Sequence, residues 1–182
     1  MAGEPLHQDR NWLYVRWTEQ VQLSDGRVIV AERVDQYLRV SDPGSGWGRG
    51  GWLYWRGGFR AALPEPMSRT VEWDGTLRPL MLDFIEGQVY FVGAAAARVG
   101  TDDWKLSPNE KYVVFRLSPN GWQRMALSDL PQSARPTFLA DTRQFFEETK
   151  SLVPGSVIDL PTKKRVDSNT RLSKELRMIV RP

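Results

Sequence analysis

The sequence predicts a single, mostly β domain of antiparallel hairpins, arranged as a sandwich or partly open barrel, with one or two C-terminal helices packed on it. Three observations point there. Apolar and polar residues alternate in several short runs, turn signals containing glycine separate those runs, and a helical period emerges only after residue 128. The 182 residues suit one domain with one substantial core. Within it we read a polar leader (1–12), a β-rich body (13–127) and a helical, basic C-terminal segment (128–182).

The first hairpin spans residues 13–35. In "LYVRWTEQVQL", Leu13, Val15, Trp17, Val21 and Leu23 share one face, and Arg16, Thr18, Gln20 and Gln22 share the other. Asp25-Gly26 suits the positive φ angles of a two-residue type I′ loop. That loop sets Leu23 opposite Val28, Val21 opposite Val30 and Trp17 opposite Val34. It also sets Glu19 opposite Glu32 on the apolar face, with Arg33 pointing the other way. Two facing carboxylates repel unless one is protonated or an arginine bridges them, and they are the raw material of acid/base catalysis.

Further turns follow at Asp74-Gly75, at Glu86-Gly87 and in "SPNG", where Pro119 fits the second turn position and Gly121 the left-handed one. The stretch "AAAARVGTDDWKLSPNE" reads as a long, polar, exposed connection. Beyond it, "LADTRQFFEETKSLVPG" has helical spacing, an Asp141/Gln144 capping box and a Pro154-Gly155 stop. "DSNTRLSKELRMIV" repeats that pattern through Leu172, Leu176 and Ile179. Residues 158–182 hold seven basic and three acidic side chains, so the tail, not the body, makes the chain basic. Lys163, Lys164, Arg165, Arg171, Lys174 and Arg177 are its candidate contacts for an acidic partner, against the plainer reading of a solvated helix face.

Much chemistry is excluded. There is no cysteine and only one histidine, His7, so a disulfide framework, a thiolate metal site and a Ser-His-Asp triad lack their parts. No phosphate-binding loop and no G-x-S-x-G elbow occurs. We therefore expect no cofactor, no metal and no enzymatic activity. No apolar run is long enough to span a bilayer. As written the chain reads as soluble and cytoplasmic, or periplasmic or envelope-associated if a signal peptide has been removed.

"GSGWGRGGWLYWRGGFR", residues 44–60, is the strongest candidate binding segment. Trp47, Arg49, Trp52, Tyr54, Trp55, Arg56, Phe59 and Arg60 could form an aromatic and cationic surface for a protein, a carbohydrate or a single-stranded nucleic acid. The simpler reading of the same residues, towards which the segment leans, is a glycine-rich connection, a strand with Trp52 and Tyr54 on one face, and a turn.

Trp17-x-Glu19-x-Val21-x-Leu23-x-Asp25-Gly26-Arg27 followed by Val30-x-Glu32-Arg33, with Pro79 to Asp83 and Tyr112 to Arg116, resembles small uncharacterised bacterial proteins that share this opening hairpin. The resemblance implies a bacterial or phage setting and a β-rich fold, and it assigns no activity. The leading functional expectation is a non-enzymatic binding or accessory protein acting through protein–protein contacts, self-association included. The alternatives are a carbohydrate- or nucleic-acid-binding module using residues 47–60, and a hydrolase built on Glu19 and Glu32.

Overall fold

The computed structural model describes residues 6–8, 11–40, 51–96, 98–138 and 157–167. The chain is mostly β, in two sheets that do not close into a barrel. Strands β1 (Leu6–Gln8), β2 (Trp12–Gln22), β3 (Val28–Val40), β4 (Gly51–Ala62) and β5 (Thr70–Gly75) lie side by side in that order. The short β10 (Val157–Ile158) runs parallel to β2 and makes this first sheet mixed. β6 (Leu77–Ile85), β7 (Gln88–Ala95), β8 (Tyr112–Ser118) and β9 (Gly121–Met125) form an antiparallel second sheet. The described helices are short: α1 (Arg98–Asp103), a 3-10 turn at Leu127–Asp129, and α2 (Leu160–Asp167).

The two inner faces share one core. Val21, Ile29, Phe59 and Val71 of the first sheet meet Leu82, Phe91, Phe115 and Leu117 of the second. Phe91 stacks on Phe115 at 5.4 Å between ring centroids, and Trp73 packs against both at 4.7 and 4.9 Å. Such ring pairs add to the area they bury. The outer face of the second sheet is covered as well. Ala134 and Leu130 pack on Met81, Ile85, Val92 and Val114 there, which explains why β6 and β7 are apolar on both sides.

The first hairpin exists, but its register is one residue away from the expected one. Ser24, Asp25 and Gly26 form a three-residue loop closed by Leu23 and Arg27, whose backbone groups bond at 2.8 Å, with Gly26 at φ +88°. A third loop residue in the left-handed region is the usual alternative to the two-residue turn. Its consequence is large, because a one-residue slip moves every side chain of the return strand to the other face. Val21 therefore faces Ile29, Glu19 faces Ala31, and Trp17 faces Arg33. The Glu19–Glu32 pair does not form.

Other expectations also change. Asp74-Gly75 does not fold β5 back on β6. β5 pairs with β4 and β6 pairs with β7, so the chain crosses from one sheet to the other at Thr76. Leu77, fully buried in the shared core, anchors that crossing. Residues 6–8 of the supposed leader form a strand against β2. The connection at 96–111 is not simply polar and exposed: Leu106 is buried, and Trp104 packs on Trp73 and Phe115. The turns at Glu86-Gly87 and Gly121 are present, with φ +52°, +78° and +110°. The helix expected over 139–153 lies outside the described residues. So does nearly all of the one expected over 167–180; α2 lies just ahead of it.

Candidate functional site

β3 buries two charged side chains among its inward apolar ones and turns several valines outward. Its inward residues are Ile29, Ala31, Arg33, Asp35 and Tyr37, and its outward residues are Val28, Val30, Glu32, Val34, Gln36, Leu38 and Val40. The inward charges are satisfied from both ends of the chain. Arg33 Nη1 donates to Glu19 Oε1 at 2.8 Å, Arg33 Nη2 lies 3.9 Å from Asp35 Oδ1, and Lys163 Nζ lies 2.5 Å from Glu19 Oε2. The Arg33 guanidinium is sandwiched between the rings of Trp17 (4.8 Å) and Phe138 (4.3 Å). Lys163 also donates to the carbonyls of Gln20 and Thr137. Two cations and two carboxylates thus cancel in a region where buried charge is tolerable only when paired.

Lys163 reaches this cluster because Asp159 caps α2, accepting from the Thr162 N–H at 2.9 Å, and Gln20 Oε1 accepts from the Leu160 N–H at 3.2 Å. Phe138 is held by Thr137, whose hydroxyl accepts from the Leu82 N–H and donates to the Leu82 carbonyl. Beside the cluster, the Tyr54 hydroxyl donates to the Leu77 carbonyl at 3.3 Å. Burial, with the Asp35 carboxylate nearby, pushes the Tyr54 phenol well above its ordinary value. Gly57 lies beneath both groups. A Cβ there would stand 2.6 Å from Asp35 Oδ1 and collide with the Tyr54 hydroxyl, so the first glycine of Arg56-Gly57-Gly58 in β4 is a packing requirement.

A second polar tie joins the hairpin tip to the other sheet. Asp83 accepts from the Ser24 N–H (2.7 Å), the Ser24 hydroxyl (2.5 Å) and the Phe84 N–H (2.8 Å). Burial nevertheless raises its carboxyl above the ordinary range. Ser24 and Asp83 line a cleft of about 420 Å³ together with Thr137, Lys163 and Lys164. Among the described residues no group of acidic or histidine side chains could hold a metal ion.

The outer face of the first sheet is different in kind. A β-bulge in β4 pairs Tyr37 with Tyr54 and Gln36 with Arg56, leaving Trp55 as the extra residue. The bulge breaks the alternation, so Trp55 and Arg56 both project outward. Trp55 meets Trp12 edge-to-face at 5.7 Å, Arg56 holds Asp74 through two bonds of 2.7 and 3.2 Å, and Gln36 donates to the Tyr14 hydroxyl. Of the six large aliphatic side chains exposed among the described residues, Val28, Val30, Val40, Leu53 and Val157 lie on this face, and Leu127 does not.

The sequence-derived candidates therefore separate. Trp55, Arg56, Arg60 and Glu32 lie on the outer face. Trp52 is half-buried against the Leu13–Tyr37 cluster, and Tyr54 and Phe59 are core residues, which removes them from a binding surface. Glu19 is buried with cationic partners and Glu32 is exposed on the opposite face, so the proposed acid/base pair is dissolved by the register. Lys163, expected in an exposed tail, is a buried ion-pair partner. Lys164 is exposed. Arg165 lies in α2, and Trp47, Arg49, Arg171, Lys174 and Arg177 fall outside the described residues. The expectation missed Arg33, Asp35, Trp12, Val28 and Val30, because the assumed parity of β3 placed the first two outside and the two valines within. The chain matches no protein-family model, no curated protein and no solved structure.

Proposed function

We propose that the protein is a non-enzymatic binding or accessory protein that acts through protein–protein contacts made by the outer face of the first sheet. One observation carries this reading: β3 turns Val28, Val30, Val34, Leu38 and Val40 outward while burying Arg33 and Asp35. Folding alone would favour the reverse, since exposed apolar area gains nothing and buried charge costs. Exposed aliphatic side chains gathered on one face and interleaved with charged ones are the composition of a contact site. The Trp12, Trp55 and Arg56 cluster supplies the residue types that dominate interface energetics.

A photoreactive amino acid placed at position 30 or 53 tests the reading, with position 123 on exposed β9 as the control. In cells that make the protein, 30 and 53 should yield a discrete protein adduct and 123 should not. Equal labelling at all three positions, or none at 30 and 53, overturns it.

A further inference from the structure

We propose that the partner on this face is a second copy of the chain, docked face to face about a two-fold axis that runs along the strands between β3 and β4. This rests on the reading of the outer face as a protein contact surface. The pairing register defines the outward rows. One row is Trp12, Leu38 and Leu53; the next is Tyr14, Gln36 and Arg56; the third is Arg16, Val34, Gly58 and Asp74; the fourth is Thr18, Glu32, Arg60 and Glu72. A two-fold axis along the strands keeps each residue in its row and exchanges β3 with β4 and β2 with β5.

Every opposition this creates is favourable or neutral. Leu38 meets Leu53 of the second copy, and Val34 meets Gly58. Gln36 meets Arg56, Glu32 meets Arg60, and Arg16 meets Asp74. No like charges oppose one another. The side chains of Arg16, Glu32, Arg60 and Glu72 make no ion pair among the described residues, although Glu32 and Arg60 are direct cross-strand neighbours. The angle of about 30° between packed sheets leaves the central rows in contact and splays the outer ones. Four strands about 4.8 Å apart over roughly 30 Å of strand length give roughly 600 Å² per copy, near the lower bound for a specific dimer.

The test uses the full chain and two exposed substitutions, Glu32→Arg and Arg60→Glu. Sedimentation velocity over a wide concentration range should show a reversible dimer for the wild type. Each variant alone sets like charges against each other twice in the symmetric interface and should dissociate at least about tenfold more readily. In an equimolar mixture of the two variants, opposite charges again face each other at both contacts between positions 32 and 60. The mixture should therefore recover the wild-type affinity as a heterodimer. Unfolding midpoints of the variants confirm that each is folded. A wild type that stays monomeric, variants that dimerise like it, or a mixture that fails to rescue overturns the second copy. The cross-links from positions 30 and 53 separate the two failures. A link to a different protein keeps the contact face and rejects self-association, whereas a link to residues 168–182 of the same chain rejects both.

Discussion

Lys163 Nζ lies 2.5 Å from Glu19 Oε2, with the glutamate fully buried and the lysine 6% exposed. This contact ties the C-terminal helix α2 to the centre of the first sheet. Removing the ammonium leaves Arg33 facing two carboxylates in a dry region. Lys163→Met should therefore cost about 3–5 kcal/mol, the usual penalty for stranding one partner of a buried pair. Glu19→Gln combined with Lys163→Met should recover a large part of that loss. Denaturant unfolding of the two single variants and the double gives the coupling. Additive losses would mean that the two side chains do not act as a pair.

The same register predicts an uneventful result at the other glutamate. Glu32 is exposed, lies across from Thr18 and Arg60, and makes no ion pair among the described residues. Glu32→Gln should change stability by less than about 0.5 kcal/mol, as surface substitutions away from special features do. A gain in stability that fades on acidification would instead indicate a facing carboxylate.

How much of this was legible follows from β3. The alternation in "LYVRWTEQVQL", the Glu86-Gly87 turn and the left-handed Gly121 announce their strands and loops, because local backbone preference decides them. The register of the first hairpin is not local in this sense. Asp25-Gly26 fits a two-residue and a three-residue loop equally, and hydrophobicity would normally choose between them. Here hydrophobicity chooses wrongly, because Val28, Val30 and Val34 outrank Ala31, Arg33 and Asp35. The buried charges are affordable only through Lys163 and Phe138, which arrive from more than a hundred positions away. No window of sequence contains that cluster. The aromatic segment was half legible: its strand and the shared face of Trp52 and Tyr54 follow from alternation. The bulge that turns Trp55 and Arg56 to one side does not.

Asp83 predicts a pH dependence. Its three hydrogen bonds favour the carboxylate, yet burial dominates and raises the folded-state pKa above the ordinary 3.8. The native state then binds the proton more tightly than the unfolded chain. Its contribution is fully present below the ordinary value and is lost as pH rises through the raised one. Asp83→Asn keeps an oxygen for the Ser24 and Phe84 N–H groups, and its amide can donate to the Ser24 hydroxyl. The variant should match or exceed the wild type at neutral pH, and its advantage should shrink towards pH 3. Urea unfolding across that range checks the slope. A clear loss at neutral pH would show that the charged hydrogen bonds outweigh burial.

Tyr54 predicts the alkaline limit. Its phenol is buried against Asp35 and donates to the Leu77 carbonyl, so the folded state holds the proton well beyond the ordinary value of 10. An unfolded chain releases it near that value. Stability must therefore fall as pH rises past 10, by up to about 1.4 kcal/mol per pH unit for this single group. Tyr54→Phe removes that slope but leaves the Leu77 carbonyl without its donor. At pH 8 the variant should be less stable than the wild type by about 1 kcal/mol, the net worth of one hydrogen bond. Above pH 10 the deficit should narrow and then reverse, since the phenylalanine has no proton to lose. Two parallel stability curves from pH 8 to pH 11 would show that Tyr54 ionises freely in the folded state, and that its ring is not sealed between Asp35 and the crossing into β6.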